Sequence, residues 1–146
     1  MNKVLYKMKD GCEKYAPLKL HSNDAGFDLY AIEDVFLYPN KPTLVSTGVH
    51  IKLPHEESYI WEAQVRSKSG KALSGIIVAN SPGTIDEDYT DEIKVITINI
   101  NNERIKLSKG TRFAQLVITR IPRINLINSD FETNNSRGGF GSTGDK

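Results

Sequence analysis

The sequence lacks most of the features that extracellular, disulfide-stabilised or membrane-bound proteins need. Cys12 is the only cysteine among 146 residues, so no internal disulfide can form and a reducing compartment is expected. No apolar stretch approaches the roughly 18 residues that a membrane-spanning helix requires. The first residues also lack the apolar segment of a signal peptide. These absences predict a cytoplasmic protein without a membrane partner.

The chain also lacks an excess of charge of either sign. Its 19 Lys and Arg residues nearly balance its 18 Asp and Glu residues, which leaves a formal net charge of +1. This balance gives no general electrostatic reason to expect binding to long nucleic acid. The histidines have no metal-ligand spacing, and neither a Walker loop nor a Gly-x-Ser-x-Gly elbow is present. Any anion must therefore be bound by a local cluster of cations.

What the sequence does contain is a series of short β-branched and aromatic runs separated by turn residues. Residues 49–53 alternate apolar and polar side chains, and residues 113–118 form a similar run near the end of the chain. Turn signals recur every ~8–12 residues, and only residues 68–73 have the composition for one or two helical turns. For a chain of 146 residues, this pattern predicts a single all-β domain, either a sandwich or a barrel.

The end of the chain differs in composition from the rest. Residues 128–146 are rich in Asn, Ser and Gly, so we expect a β core of residues 1–127 followed by a flexible, Gly-rich C-terminal arm. Within the arm, Arg137 can bind phosphate and Phe140 can stack on a base, while the glycines allow close approach to a ligand. A plain linker is the alternative, but an arm that orders over a nucleotide accounts better for these two side chains.

An acidic stretch follows a turn in the middle of the chain. Residues 80–83 form the predicted turn between two β-branched runs, residues 76–79 and 93–98. Asp86 comes shortly after this turn, behind the apolar Ile85. A carboxylate in such a place can lie at the mouth of a pocket and take a proton from water. The alternative interpretation is a solvated acidic strand edge.

Two further segments have the chemistry of anion binding. Residues 66–71 combine cations, hydroxyls and a glycine, which together can hold phosphate oxygens, although a solvated polar loop is the alternative. Gln115 lies among apolar residues in a run that begins with Arg112, and a buried amide needs a hydrogen-bond partner. The sequence leaves open whether this partner is structural or a ligand.

Taken together, these segments resemble the five ordered motifs of the homotrimeric dUTPase family. The matching segments are residues 24–31 (DAGFDLYA), 68–72 (KSGKA), 83–89 (GTIDEDY), 110–116 (GTRFAQL) and 137–144 (RGGFGSTG). The resemblance implies a distorted, jelly-roll-like β-barrel and a homotrimer in which the arm of one subunit closes over a neighbour's active site. It also implies Mg²⁺-assisted hydrolysis of dUTP to dUMP and pyrophosphate. That reaction limits uracil incorporation into DNA and supplies dUMP for dTMP synthesis.

The same resemblance implies roles for individual residues. Asp86 would be the general base that deprotonates the attacking water, and Asp28 would hold the water shell of Mg²⁺. The implied substrate-binding residues are Lys68, Ser69, Gly70 and Gln115 for the phosphates, Asn80, Gly83, Thr84, Ile85 and Lys94 for uracil, Tyr89 for the sugar, and Arg137, Phe140 and Gly141 in the arm.

The chain departs from the family pattern in three places. Lys68 stands where arginine is usual, and Arg66-Ser67 is a competing register for the second motif. Thr90-Asp91 replaces the usual Arg-Gly after the tyrosine of the third motif, and the arginine and phenylalanine of the arm are unusually close. Two alternatives therefore stay open: a nucleotide-sensing or partner-binding module without efficient turnover, and dCTP deaminase.

Overall fold

The structure, a computed structural model, describes residues 3–133, which are almost entirely strands and turns. Within these residues the strands are β1 Leu5–Met8, β2 Gly26–Tyr30, β3 Val35–Leu37, β4 Thr43–Ser46, β5 Val49–Lys52, β6 Tyr59–Ser67, β7 Ile76–Val78, β8 Gly83–Ile85, β9 Lys94–Asn99, β10 Ile105–Leu107 and β11 Arg112–Pro122. A 3-10 helix covers Glu13–Tyr15, and a short α-helix, α1, covers Ser69–Leu73. The all-β prediction is confirmed. None of the helical turns in this part of the chain has the length and apolar character that a membrane crossing requires.

The strands pair antiparallel and form four small sheets. The largest sheet has the order β2-β11-β6-β8, and the other sheets are β4-β9-β7, β1-β5 and β10-β3. The longest pairing joins β6 to β11 and runs from Ser67 and Ala114 to Tyr59 and Pro122. On its other edge β6 pairs with β8. β6 therefore connects the long strand β11 with the short edge strand that precedes Asp86.

Alternation along β6 decides which of its side chains enter the core. Ala63 and Val65 are buried, whereas Arg66 is exposed, because successive side chains of a strand point to opposite faces. The buried side chains of β6 join one hydrophobic cluster that also contains Phe113 and Leu116 of β11. Burial of a Val, Leu or Phe side chain stabilises the fold by about 1.5–3 kcal/mol. The core face of the largest sheet is therefore fixed by the period-two pattern of the sequence.

The strand β8 is absent from the sequence prediction, which places only a turn at residues 80–83. In the structure, Gly83–Ile85 pairs with residues 63–65 of β6, directly after a cis peptide bond between Ser81 and Pro82. The two runs on either side of the turn, β7 and β9, pair with each other. A strand of three residues carries too little periodicity to be recognised. Its presence places Asp86 immediately beyond the end of a sheet edge.

The segment after β11 has no regular secondary structure up to residue 133. Its large apolar side chains Ile124, Leu126, Ile127 and Phe131 are exposed in the single chain. The boundary at residue 127 stays a prediction, although the last strand ends at Pro122. Arg137, Phe140 and Gly141 of the predicted arm lie outside the described residues.

Candidate active site

A cleft of about 180 Å³ lies beside β8 and β9, and we refer to it as the hairpin cleft. Val65, Val78 and Ile93 are among its apolar lining residues. The residues predicted from the sequence that line it are Asn80, Gly83, Thr84, Ile85, Asp86, Tyr89 and Lys94. An apolar cleft with a few polar groups at its rim is the usual form of a small-molecule site. The structure therefore brings the predicted residues of the third motif together around one cleft.

Asp86 is exposed at the rim of the hairpin cleft. Its backbone carbonyl accepts a hydrogen bond from the Tyr89 N–H at 3.1 Å, which closes a turn. Among residues 3–133, no side chain or backbone group forms a hydrogen bond or ion pair with the Asp86 carboxylate. A carboxylate without a protein partner can accept a hydrogen bond from water and take up a proton. The geometry around Asp86 therefore fits a general base.

Two side chains that line the hairpin cleft differ in whether their polar groups already have a hydrogen-bond partner. The Asn80 amide lies so close to Gly83 that a Cβ atom at residue 83 would approach Asn80 Nδ2 to 3.2 Å. Glycine therefore lets the amide pack against the backbone, and the amide has no hydrogen bond to any other group within residues 3–133. The Tyr89 hydroxyl, in contrast, donates to the Glu92 carbonyl at 2.9 Å. Asn80 is free to bind a ligand, whereas the hydroxyl of Tyr89 is used to fix its own ring.

A second cleft of about 360 Å³ lies on the β2 and β11 side of the largest sheet, and we refer to it as the cation cleft. The side chains with phosphate-binding chemistry that line it are Arg66, Lys68 and Gln115. Gln115 is the pairing partner of both Asp28 and Arg66 across the neighbouring strands. Ser69 and Gly70 are exposed at the start of α1 and do not line this cleft. The structure therefore joins residues of the first, second and fourth motifs.

Asp28 is engaged by two cations in the cation cleft. Its Oδ1 accepts a hydrogen bond from Lys68 Nζ at 2.8 Å, and its Oδ2 accepts one from Arg112 Nη1 at 3.0 Å. Only 7% of the Asp28 side chain is exposed. Within the part of the chain that the structure describes, no group of three or more His, Cys, Asp or Glu residues could hold a metal ion. Both oxygens of Asp28 are therefore ion-paired within the chain, and its role toward the water shell of Mg²⁺ stays a prediction.

The two registers of the second motif differ in which serine is free. Ser67 Oγ accepts a hydrogen bond from the Val78 N–H at 2.9 Å, and the Ser67 N–H donates to Ser81 Oγ at 3.3 Å. Ser69 is exposed, and its hydroxyl makes no hydrogen bond within residues 3–133. The Ser67 hydroxyl is held against β7 by the bond from Val78 and keeps only its own O–H to donate, whereas the Ser69 hydroxyl is unengaged. The geometry therefore favours the register that contains Lys68 and Ser69.

The two clefts open on opposite faces of the largest sheet. Val65 lines the hairpin cleft and its neighbour Arg66 lines the cation cleft. Because consecutive residues of a strand point to opposite faces, the sheet itself separates the two clefts within one chain. Asp86 and Lys68 therefore belong to different surfaces of the single chain.

Sequence reasoning missed two participants near these clefts. Arg112 was predicted only to begin a strand, and its ion pair with Asp28 depends on a contact between residues 84 positions apart. Glu87 was predicted only as an acidic neighbour of Asp86. In the structure, hydrogen bonds from His55 and from the Trp61 N–H hold the pKa of the Glu87 carboxyl below its ordinary value of 4.5. The available sequence signal was the unusual density of acids after β8.

The chain is similar in sequence to proteins of the dUTPase family. The dUTPase family model matches residues 13–144 of the chain. A deoxyuridine 5'-triphosphate nucleotidohydrolase from Thermoanaerobacter sp. (strain X514) is 43% identical over 143 residues, which cover 94% of this chain and 94% of that protein. The match therefore extends over almost the full length of both proteins.

Solved structures of dUTPases have a similar fold. A Staphylococcus bacteriophage 80alpha dUTPase with dUpNHpp has a TM-score of 0.82 at 25% identity, with 99% of both chains covered. A mutant dUTPase from phage phi11 of S. aureus, described with a structural Mg(II) ion, has a TM-score of 0.73 at 20% identity. The latter match covers 92% of this chain and 100% of that chain. The expected jelly-roll-like fold is confirmed by these likenesses.

Proposed function

Because the chain belongs to the dUTPase family, we propose that it hydrolyses dUTP to dUMP and pyrophosphate with Asp86 as the general base. Its relatives are nucleotidohydrolases, so the chain is an enzyme of nucleotide metabolism. The hydrolysis of dUTP would limit uracil incorporation into DNA and supply dUMP for dTMP synthesis. This role fits a cytoplasmic enzyme.

The observation that carries the mechanism is the free carboxylate of Asp86 at the rim of the hairpin cleft. An attacking water is uncharged, so it needs a positioned base to remove its proton as the bond to phosphorus forms. Removal of the proton leaves a hydroxide that attacks, and pyrophosphate departs from dUMP. The backbone turn between Asp86 and Tyr89 supports this assignment because it fixes the base.

Uracil and deoxyribose would occupy the hairpin cleft. The free amide of Asn80 has one donor and one acceptor side, which can pair with the edge of uracil and mismatch cytosine. A narrow hairpin would exclude the extra methyl group of thymine sterically. The exposed ring of Tyr89, fixed by its bond to Glu92, would pack on the sugar and exclude a ribose 2′-hydroxyl.

The triphosphate would lie in the cation cleft. Lys68 and Gln115 line this cleft and would contact its oxygens, and Arg66 offers a second cation there. Ser69 and Gly70, at the start of α1, would reach the phosphates from outside the cleft. Magnesium is typical of the family, and it neutralises triphosphate charge when it is bound. Because both oxygens of Asp28 are paired with cations, we assign no metal ligand among residues 3–133 and derive no step through the ion.

The separation of the two clefts favours an active site shared between copies of the chain. One sheet lies between Asp86 and the predicted phosphate-binding residues of the same chain, so a neighbouring chain would supply the second half of each site. A homotrimer with residues 128–146 as an arm over a neighbour's site meets this requirement. The exposed apolar side chains of residues 123–133 also favour contact with another copy.

The direct test measures pyrophosphate release from dUTP, dTTP, dCTP and UTP with magnesium. We expect turnover of dUTP alone in the wild type and its loss in Asp86→Asn, which keeps the shape but not the basicity. Tight binding of dUTP without turnover would instead support the nucleotide-sensing module. Release of ammonia from dCTP would support the deaminase.

The shared site has a separate test, in which two inactive variants are mixed. Asp86→Asn damages the hairpin cleft, and Lys68→Ala damages the cation cleft. In a cyclic trimer, each mixed assembly should regain about one intact site, since one chain supplies each undamaged half. Co-refolded variants should therefore recover activity that neither variant has alone. A site contained within one chain would give no recovery.

A further inference from the structure

The end of β8 leaves one backbone group of β6 without a strand partner. β8 pairs with β6 only from Gly83 and Val65 to Ile85 and Ala63. Every second residue of β6 directs its N–H group to this side, so the Trp61 N–H faces the position that β8 has left. A half-buried N–H group requires an acceptor. Glu87 supplies it, because its Oε2 accepts the Trp61 N–H at 3.1 Å.

Asp86 is thereby held between two attachments to β6. Ile85, on one side, is the last residue of the β8 ladder, and Glu87, on the other side, is bound through its carboxylate. The Asp86 carboxylate itself has no partner within residues 3–133, so only the backbone and the substrate can determine where it points. Loss of either attachment would release the backbone on that side of the base.

We propose that Glu87 is a positioning residue, which fixes the backbone of Asp86 by replacing the missing strand partner of Trp61. The inference rests on the proposed function, because it assigns Glu87 a role only in so far as Asp86 acts as the base. Glu87 touches neither the hairpin cleft nor the cation cleft. Its role is therefore to hold Asp86 and not to bind substrate.

The Glu87 carboxylate is itself held by two other segments. Its Oε1 forms a hydrogen bond with His55 Nδ1, and its Oε2 lies 3.9 Å from Arg123 Nη2. Arg123 also donates to the carbonyls of Glu56 and Tyr59, so it fastens the loop before β6 as well. Only 18% of the Glu87 side chain is exposed. The acceptor for Trp61 therefore has a fixed position and not one of many rotamers.

The effect of a substitution at Glu87 on kcat should depend more on the length of the new side chain than on its charge. Glu87→Gln keeps an oxygen at the same reach as Oε2, whereas Glu87→Asp keeps the charge but is one methylene shorter. Because a displacement of about 1 Å in a reacting group can cost roughly 100-fold in rate, Glu87→Ala and Glu87→Asp should lower kcat by about 10- to 100-fold. The KM for dUTP should change little, since Asn80 and Lys94 do not contact Glu87.

The experiment compares kcat and KM for dUTP in the wild type and in Glu87→Ala, Glu87→Asp and Glu87→Gln. Glu57→Ala is the control, because it removes a neighbouring exposed carboxylate that forms no hydrogen bond or ion pair within residues 3–133. We expect near wild-type kcat for Glu87→Gln and Glu57→Ala. The Trp61 amide should exchange its hydrogen faster in Glu87→Ala and Glu87→Asp than in the wild type.

Three results would overturn the inference. These are an unchanged kcat in Glu87→Ala, better activity in Glu87→Asp than in Glu87→Gln, and a raised KM with kcat unchanged. A wild type without dUTP turnover would refute the proposed function, and with it the role of Glu87 toward a base. The exchange rate of the Trp61 amide would still report whether Glu87 holds β6.

Discussion

Replacement of Asp28 by asparagine would remove the negative charge that lies between Lys68 and Arg112 while nearly preserving the shape of the side chain. In the wild type, each carboxylate oxygen accepts one hydrogen bond from a cation. In Asp28→Asn, the amide oxygen can still accept one such bond. The amide nitrogen is a donor, so it cannot form a hydrogen bond with the other cation. Two positive side chains would then face each other across a neutral group.

The size of the effect follows from burial and from the number of hydrogen bonds. A hydrogen bond to a charged group contributes about 1.5–3 kcal/mol, and loss of one partner of a buried pair costs about 3–5 kcal/mol. Lys68 and Arg112 retain 27% and 36% of their side-chain exposure, so both can turn partly into water. We therefore expect Asp28→Asn to lower the free energy of unfolding by about 2–4 kcal/mol, between the value for one charged hydrogen bond and the value for a fully buried pair.

Urea unfolding at a fixed protein concentration measures this loss, and an unchanged m-value shows that the unfolding reaction is the same. Asp34→Asn is the matched control. Asp34 also pairs with a lysine, Lys106 at 2.6 Å, but its side chain is 49% exposed, so its loss should be much smaller. Asp28→Asn could instead be as stable as the wild type and change only the magnesium requirement of dUTP turnover. That result would show that the carboxylate serves the metal's water shell, and it would refute a stabilising role for the two ion pairs.

Two further predictions concern stability. Gly75→Ala should destabilise the fold by at least about 1–2 kcal/mol in urea unfolding. Residue 75 has φ +79, and a Cβ atom there would lie 2.1 Å from Asn101 Nδ2. Gly70→Ala is the control and should be neutral or stabilising, because a Cβ atom at residue 70 would have no neighbouring atom within 4 Å. The pKa of Glu87 is lowered from 4.5, so its ionisation stabilises the fold above pH 4.5 and this contribution is lost as the pH falls through the folded value. The difference in unfolding free energy between wild type and Glu87→Gln should therefore narrow as the pH falls below about 4.5, and a constant difference in that window would contradict the hydrogen bonds assigned to the ionised carboxylate.

The strands were predictable wherever the sequence alternates over enough residues. Residues 49–53 were predicted as a strand, and β5 covers Val49–Lys52. β8 was not predictable from periodicity, because only Gly83–Ile85 takes part and its partner strand lies about 20 residues earlier in the chain. Its pairing depends on where the turn at residues 80–83 directs the backbone. Such a tertiary constraint has no local pattern.

The residues of the hairpin cleft were predictable because they are neighbours in sequence. Asn80, Asp86 and Tyr89 lie within one short segment, so a motif can identify them together. The pairing of Asp28 with Arg112 depends instead on the register of β2 against β11, in which Asp28 is opposite Gln115. A sequence motif names both residues but does not place one carboxylate between two cations. For that reason the two ion pairs of Asp28 were not predicted from the sequence, and its role toward the water shell of Mg²⁺ stays a prediction.

The alternation of side chains along β6 connects the fold with the proposed assembly. Its odd-numbered residues Ala63 and Val65 face the core and the hairpin cleft, and its even-numbered residue Arg66 faces the cation cleft. A shift of the β6 register by one residue would exchange these faces and destroy both clefts at once. The alternation of side chains along β6 contributes to both clefts and also places them on opposite faces of the sheet within one chain. If the proposed hydrolysis uses Asp86 and the predicted phosphate-binding cations on one substrate, a second copy of the chain would have to supply one half of each site.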